Sequence, residues 1–259
     1  DAKDSRVLVM CGMAAAFSGL FGTPLTAAVF AMEVVSVGVM YYTAIVPCLV
    51  SSLTALLVAR AFGMHLAPSY TVTEFMELSP LSMVQVMALG VLCAVLSIWF
   101  CKATHAAPHL YQRIAPDPVL RAALGGTLVL LLTLLVGDQS YNGAGDGLIR
   151  ASLSGNVRPE AFLLKMIFTA LTLGAGFRGG EIVPVLSVGC TFGAAVSPLL
   201  SMPASFAGAL AMAATFCGAT NCPMTAILLA YELFGGVGLE LIALGCGVLL
   251  GDLVFPMRN

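Results

Sequence analysis

The sequence predicts an all-α integral membrane protein built from tilted and broken helices. Apolar residues make up 59% of the chain, charged residues only 9%, and the mean hydropathy is +1.01, whereas soluble domains carry about 25% charged residues. Several apolar stretches approach or exceed the roughly 18–20 residues that span a bilayer. Because the net charge is −2 and basic blocks are missing, we expect no nucleic-acid partner.

Glycine, proline and polar residues divide the apolar sequence into helices of unequal length. Many of these helices are too short to cross a bilayer alone, which favours broken helices that line an internal cavity. The predicted helices cover residues 7–21, 25–35, 41–62, 81–102, 122–136, 160–173, 182–200, 204–217, 223–233 and 239–255.

The connecting segments set the expected orientation in the membrane. Residues 102–121 form the most basic stretch, with five basic or histidine residues and the single acid Asp117. By the positive-inside rule this stretch is predicted to be a cytoplasmic loop. Residues 63–80, with Glu74 and Glu77, are expected to form a polar loop, and the Gly- and Asn-rich residues 137–159 an external one.

The cysteines and histidines do not form a metal-binding pattern. None of the eight cysteines lies in a C-x-x-C pair, and nearly all fall inside apolar runs, so we expect small buried hydrophobic side chains. The histidines fall in predicted loops without partners at ligand spacing. We therefore expect no metal and no cofactor; the histidines are His65, His105 and His109.

Residues 174–198, GAGFRGGEIVPVLSVGCTFGAAVSP, form the central element of the sequence. Four glycines in seven positions permit unusual backbone dihedrals and close approach to a ligand. Pro184 then marks the first turn of a helix that opens near Glu181. Since the first-turn N–H groups and the positive end of the helix dipole point away from the helix, this break predicts an anion site.

A second feature is an internal repeat. The 21 residues from Met13 to Glu33 align without a gap with those from Met212 to Glu232. Met, Phe, Gly, Pro, Thr and Glu recur at matching positions, and the proline and glutamate lie nine residues apart in both copies. We interpret this as a duplicated unit, which in polytopic proteins usually means two halves, often inverted, with the substrate site between them.

The repeat also predicts the domain organisation. We expect one transmembrane domain over residues 1–259, in which 1–101 belong to the first half and 122–259 form the second. The first copy begins close to Asp1, whereas some 200 residues precede the second. We therefore expect the front of the first half to be missing from this sequence.

The repeated helix–Pro–helix–Glu units and the Gly-Gly-x-x-x-Pro element resemble the CLC family of chloride channels and proton-coupled anion antiporters. The resemblance runs over nearly the whole chain and implies an inverted-repeat bundle that works as a homodimer with one pathway per subunit. It also implies an anion site at the start of the broken helix, where the two residues after the glycine pair offer backbone N–H groups: Gly180, Glu181, Ile182 and Val183.

Within the family, the sequence is similar to the bacterial fluoride/proton antiporters. Glu181 directly follows the glycine pair, where chloride-type members are apolar, and residues 165–178 and 217–235 also fit this subgroup. There are departures. The first-half loop with the gating glutamate and the closing C-terminal segment are absent, some fluoride-type members place Thr at Val183, and Val34 stands where chloride-coupled exchangers often carry a proton-accepting Glu.

Glu181 is open to two interpretations. An anion-site role requires it to be protonated or tightly hydrogen-bonded, because a bare carboxylate repels the anion and is costly to bury alone. A carboxylic acid O–H would suit fluoride, a small and strong hydrogen-bond acceptor. Alternatively, Glu181 is a helix N-terminal carboxylate that binds its own first-turn amides.

Other polar residues also carry alternatives. Lys165 lies within an apolar run and either attracts anions or pairs with a carboxylate or backbone carbonyls. Arg178 either concentrates anions at the mouth of the site or snorkels to the interface. Glu33 and Glu232 end equivalent helices, for which we favour a shared structural task, such as bonding loop amides, over an ion-path role. Thr220 and Asn221 either line the path or cap the following helix.

The function expected from the resemblance is transmembrane anion transport: fluoride export coupled to proton import, in a multi-pass protein of the bacterial cell membrane. The alternative is a chloride channel or chloride/proton antiporter of the same family. An intramembrane enzyme would need a catalytic set at membrane depth, and the sequence offers none. A cation or organic-solute transporter would place carboxylates along the broken helices of both halves.

Overall fold

A computed structural model describes residues 2–35, 40–64, 70–76 and 79–234. Over these ranges the protein is helical, and strands do not occur among the residues described. A 3-10 turn, Tyr42–Ala44, precedes α3. The α-helices are α1 (Ala2–Phe21), α2 (Pro24–Glu33), α3 (Ile45–Ala61), α4 (Pro80–Ile114), α5 (Pro118–Val136), α6 (Asp146–Leu153), α7 (Ala161–Gly174), α8 (Ile182–Val196), α9 (Ala204–Thr220) and α10 (Pro223–Leu233).

Long and short apolar helices are combined, as the sequence predicts. Among the described residues, four helical stretches are long and apolar enough to cross a membrane, and five further apolar helices have only 10–17 residues. Such short helices fall below the roughly 20 residues that a straight span needs. They are breaks in the transmembrane bundle, and their ends must therefore find partners within the protein or line a water-filled cavity.

Local sequence signals explain four of the ten described α-helix starts. Proline occupies the first turn of α2, α4, α5 and α10, where its missing N–H leaves no intrahelical bond unmade. At α4, the Ser79 hydroxyl accepts a bond from the Ser82 amide (3.1 Å), and the Ser82 hydroxyl accepts one from the Ser79 amide (2.8 Å). At α5, the Asp117 carboxylate accepts a bond from the Val119 amide (3.1 Å).

The predicted loop over residues 102–121 is wrong in its secondary structure. Helix α4 continues through it to Ile114, with Pro108 inside the helix, and α5 begins at Pro118. The exposed face of α4 carries the basic and histidine side chains, including His105 and His109, while Tyr111 is buried against the bundle. The polar residues of this stretch lie on one exposed face of the helix, and this pattern resembles that of a polar loop. The cytoplasmic location of this stretch stays a prediction.

The predicted loop over residues 137–159 contains the short helix α6. Gly145 precedes this helix with φ +88°, and three apolar side chains of the helix (Leu148, Ile149 and Leu153) are buried. The helix has only eight residues, and its apolar face is too short to give a recognisable helical pattern in the sequence. The last predicted helix, over residues 239–255, lies outside the described residues, as do Cys246, His65 and Glu77.

Helix α9 forms the centre of the bundle, and every residue from Ser205 to Gly218 is buried. Its closest neighbour is α8, which approaches it along two glycines. A Cβ added at Gly189 would lie 2.6 Å from the Ala211 carbonyl oxygen, and one added at Gly193 would overlap the Ala207 carbonyl. Small residues permit this approach of backbones. The contact fixes the position of α8, whose first turn is the predicted anion site.

The two repeat copies fold alike. Each consists of a longer helix, a break and a short helix that starts at proline: α1 with α2, and α9 with α10. The residue before the proline has nearly the same backbone conformation in both copies, with φ −114° and ψ 81° at Thr23, and φ −119° and ψ 75° at Cys222. The matched Pro and Glu of the sequence therefore reflect a matched structure.

The close approach of α8 to α9 predicts that Gly193→Ala is destabilising. The added methyl group would meet the backbone of Ala207 and lie 2.6 Å from the Ala211 Cβ. Overpacking of this kind costs about 1–3 kcal/mol, against a gain of at most about 1 kcal/mol in helix propensity. Thermal unfolding of the detergent-solubilised protein should therefore begin at a lower temperature.

Gly12→Ala in α1 is the matched control, because an added Cβ there meets nothing within 4 Å. Its unfolding temperature should stay unchanged or rise. If the two variants shifted by the same amount in the same direction, the backbone contact between α8 and α9 would not be the cause.

Candidate anion site

Helix α8 begins with backbone amides that have no acceptor. The first backbone bond at this end runs from the Val185 amide to the Glu181 carbonyl (3.0 Å). In the described part of the chain, the amides of Gly180, Glu181, Ile182 and Val183 donate no hydrogen bond. Because the positive end of the helix dipole lies at the same place, this helix start is suited to an anion.

These residues border a cavity of about 780 Å³. Its wall is contributed by α1, α2, α5 and α7, by residues 141–144 and by the start of α8. Most of the wall is apolar, and Phe17, Phe30 and Phe168 are part of it. Two cations, Lys165 and Arg178, are among the described lining residues, which include no carboxylate. Such a charge balance favours an anion over a cation or a zwitterion.

Glu181 stands beside the cavity but does not line it. The wall includes its neighbours Gly180 and Ile182, whereas the Glu181 side chain is exposed. Glu181 occupies the N-cap position of α8 with φ −83° and ψ −19°, and it makes no side-chain cap hydrogen bond. The interpretation as a carboxylate that binds its own first-turn amides is therefore wrong, and the α8 amides stay open to a ligand.

Lys165 is buried in α7 with a relative exposure of 1%. Its ammonium group donates hydrogen bonds to the carbonyls of Tyr141 (3.0 Å) and Gly143 (2.6 Å). The sequence left open whether Lys165 pairs with a carboxylate or with backbone carbonyls, and in the structure it pairs with backbone carbonyls. The lysine thus holds residues 141–145 against the bundle, while part of its side chain contributes to the cavity wall.

Ser187 completes this attachment from α8. Its hydroxyl lies 3.1 Å from the Ala144 carbonyl and 3.3 Å from the Gly145 carbonyl. A Cβ at Gly145 would lie 2.6 Å from the Ser187 hydroxyl and 3.0 Å from the Lys165 Cε, and its φ of +88° also favours glycine. Sequence reasoning placed this segment in an external loop and assigned it no role in the site. The run Tyr-Asn-Gly-Ala-Gly was the only signal, and it does not specify a tertiary partner.

Arg178 is exposed and lies on the loop between α7 and α8, where it forms part of the cavity wall. Its position is compatible with the predicted place at the mouth of the site. A guanidinium group there raises the local concentration of anions through its long-range field.

Glu33 and Glu232 form a reciprocal exchange between the repeats. The Glu33 carboxylate, at the end of α2, accepts hydrogen bonds from the amides of Met224 (3.1 Å) and Thr225 (2.8 Å) and from the Thr225 hydroxyl (2.6 Å). These are first-turn groups of α10. Glu33 therefore caps the start of α10 and does not line the cavity.

The return contact has the same form. The Glu232 carboxylate, at the end of α10, accepts bonds from the amides of Leu25 (3.1 Å) and Thr26 (2.8 Å) and from the Thr26 hydroxyl (2.6 Å). Two helix starts thus hold a carboxylate of the protein itself, while the start of α8 holds none. Of these three helix starts, α8 is therefore the one whose first-turn amides are open to an external anion.

Asn221 ends α9 in the left-handed conformation, with φ 54°, and the Thr220 hydroxyl donates a bond to the Phe216 carbonyl (2.8 Å). The amides of Met224 and Thr225 in the first turn of α10 bind Glu33. A capping role of Asn221 stays a prediction.

The seven described cysteines are free thiols, and five of them are buried. No group of three or more potential metal ligands occurs among the residues searched.

Comparison with known proteins agrees with this arrangement of helices. Residues 1–254 match the family described as Voltage gated chloride channel. The chain belongs to this family. A chloride/fluoride channel protein from Pseudomonas syringae pv. tomato is 34% identical over 250 residues, which cover 94% of this chain and 55% of that protein. A putative ClcB-like chloride channel protein from Ralstonia nicotianae is 28% identical over 88% of this chain and 55% of its own length.

Solved structures of the family share the fold. A CLC-type fluoride/proton antiporter superposes with a TM-score of 0.88 at 28% identity and covers 98% of this chain, which corresponds to 65% of that structure. A slow cyanobacterial Cl−/H+ antiporter superposes with a TM-score of 0.73 at 20% identity, over 97% of this chain and 62% of that structure. The CLC chain thus spans a little more than half the length of the curated relatives it matches.

The anchoring of residues 141–145 predicts that Lys165→Met is destabilising. Loss of the ammonium group leaves two carbonyls at a buried site without their donor, at a cost of about 2–5 kcal/mol for a charge-assisted pair. The unfolding temperature of the full-length protein should fall, and its anion efflux should fall in proportion to the folded fraction.

Lys102→Met is the control, because Lys102 is exposed on α4 and such substitutions usually change stability by less than about 0.5 kcal/mol. A Lys165→Met protein that is as stable as the parent but silent in transport would contradict the anchoring role. It would instead indicate that the ammonium group attracts anions.

Proposed function

We propose that this chain forms part of the pathway of a CLC antiporter that exports fluoride in exchange for protons. The observation that carries the proposal is the start of α8, where four amides without acceptors adjoin a cavity lined by two cations and no carboxylate among the described residues. A dehydrated anion would lie at the amides of Gly180, Glu181, Ile182 and Val183, which replace the hydrogen bonds of its hydration shell.

Fluoride is favoured over chloride by two relatives, and the acid at Glu181, which is exposed beside the cavity wall, would add to this preference if its side chain turned toward the anion. The P. syringae protein carries chloride/fluoride in its name at 34% identity, and a fluoride/proton antiporter has the same fold at 28% identity. Fluoride is small and a strong hydrogen-bond acceptor, so it gains more than chloride from converging N–H groups and a carboxylic acid O–H. Chloride transport is the second candidate, supported by the ClcB-like relatives.

The remaining parts of the site support the anion. Arg178 would concentrate anions at the mouth of the cavity, and Lys165 would contribute its charge while it anchors residues 141–145. We assign Glu33 and Glu232 no part in the path, because both carboxylates are engaged at helix starts.

We further propose a homodimer in the bacterial cell membrane, with one pathway in each subunit. Helices near the surface expose apolar side chains that need a non-aqueous environment. On α3, Val46, Val50, Leu53 and Leu57 are each between 46% and 66% exposed. A bilayer or a second copy of the protein would cover such a face.

Anion efflux from proteoliposomes tests the substrate. With the full-length protein carrying this chain, a fluoride electrode should record efflux at least about tenfold faster than a chloride electrode does, which corresponds to about 1.4 kcal/mol of discrimination. The pH inside the vesicles should change with it. Equal or chloride-favouring flux without a pH change would replace fluoride/proton exchange by general chloride transport.

Glu181→Gln tests the role of the acid. The amide keeps the size of the side chain but removes the proton that a carboxylic acid shares with fluoride, so the fluoride-to-chloride ratio of efflux rates should fall by about tenfold. Glu160→Gln is a suitable control, because Glu160 is an exposed N-cap residue without a side-chain cap bond. An unchanged ratio in Glu181→Gln would remove Glu181 from the selectivity mechanism.

A further inference from the structure

We propose that the start of α2 is a second, latent site for a small monovalent anion, which Glu232 keeps filled so that external anions are confined to α8. The site would be made of the amides of Leu25 and Thr26 and the hydroxyls of Thr23 and Thr26. Glu232 is thus a specificity-determining residue that acts as a built-in ligand. The inference rests on the proposed anion transport only for the choice of probe ions.

The bound carboxylate shows that this helix start accepts an anion. Glu232 receives three hydrogen bonds there, of 3.1, 2.8 and 2.6 Å, from two amides and one hydroxyl. Carboxylate oxygens and halide ions use the same N–H and O–H donors, and both are stabilised by the helix dipole. What the structure shows for a carboxylate therefore extends to formate, fluoride or chloride once the protein's own ligand is removed.

Thr23 supplies a second and independent observation. Its side chain is buried with 2% exposure, and its hydroxyl has no hydrogen-bond partner within the described structure. Thr23 is the N-cap residue of α2, and a threonine at this position normally binds the second or third amide of its own helix. Here those amides, from Leu25 and Thr26, bind Glu232 instead. The Thr23 hydroxyl is thus a spare donor at the same helix start.

The other repeat lacks this spare donor. Glu33 receives the equivalent three bonds at α10, with the same distances, but the N-cap residue there is Cys222. A thiol is a much weaker donor than a hydroxyl. Access does not separate the two helix starts, since Met224, which matches Leu25 in the repeat, is 51% exposed. The two carboxylates are therefore bound in the same way. Without its carboxylate, the start of α2 would keep an additional hydroxyl donor, whereas the start of α10 would keep only a thiol in its place.

The start of α2 can be reached by small ions. Leu25, in the first turn, is 47% exposed, and Glu232 is half-buried. Small anions can therefore enter the space that a shortened side chain would leave, whereas a bulky anion such as gluconate would not fit there.

The test is anion rescue of Glu232→Ala in the full-length protein. In gluconate, its unfolding temperature should lie roughly 5 °C or more below that of the parent, because several charge-assisted bonds are lost. Formate, fluoride and chloride should each recover at least half of this difference and should shift the parent much less. If the variant is too unstable to purify in gluconate, purification of monodisperse protein in formate but not in gluconate supports the proposal equally.

Two further variants localise the effect. Glu33→Ala loses the same number of bonds but should recover by less than half as much, and Glu232→Ala combined with Thr23→Val should recover less than Glu232→Ala alone. Equal recovery of Glu33→Ala and Glu232→Ala would overturn the role of Thr23. Equal responses of Glu232→Ala and the parent to the small anions would overturn the latent site, and would mean that Thr23 caps the helix itself. Because the readout is stability, neither result depends on the outcome of the efflux experiment.

Discussion

The exchange of carboxylates between Glu33 and Glu232 is the contact on which the arrangement of the two repeats depends. In a bilayer, a broken helix exposes N–H groups that water cannot satisfy, so each break needs a partner from the protein. In this chain, the glutamate that ends the short helix of each repeat caps the start of the short helix of the other repeat. The contact joins segments about 200 residues apart in sequence. It also occupies the first-turn amides of α2 and α10, which are then not available to an external anion.

The start of α8 acquires its chemical character from that arrangement. It is a broken helix like α2 and α10, but Glu181 at its N-cap leaves the amides free. The cavity beside it carries two cations and, among the residues described, no acid. Backbone amides then provide a site of fixed geometry with few mobile charges, because α8 is held by the close glycine contacts to α9. Residues 141–145, attached through Lys165 and Ser187, close part of the wall.

Much of the helix pattern was predictable because hydrophobic runs, prolines and glycines act locally. The helices around Pro24, Pro184 and Pro223 follow their sequence signals closely. The errors have a common origin. The polar face of α4 beyond Lys102 was taken for a loop, and the single apolar face of α6 was overlooked, since the side of a helix that meets the bundle is set by its neighbours. Tyr111, for example, is buried beside Gly174 of α7 although it lies in the most basic stretch of the sequence.

The sequence alone determined that the chain is a membrane protein with a duplicated helix–Pro–helix–Glu unit and a helix that starts after Gly179 and Gly180, because composition, repeats and breaks are properties of the chain itself. The tertiary structure alone decided what each polar residue contacts. It paired Lys165 with two carbonyls, left Glu181 without a hydrogen bond to its own helix start and brought Glu232 to α2. These outcomes depend on which helices pack together, and hydrogen bonds between distant segments leave no local pattern in the sequence.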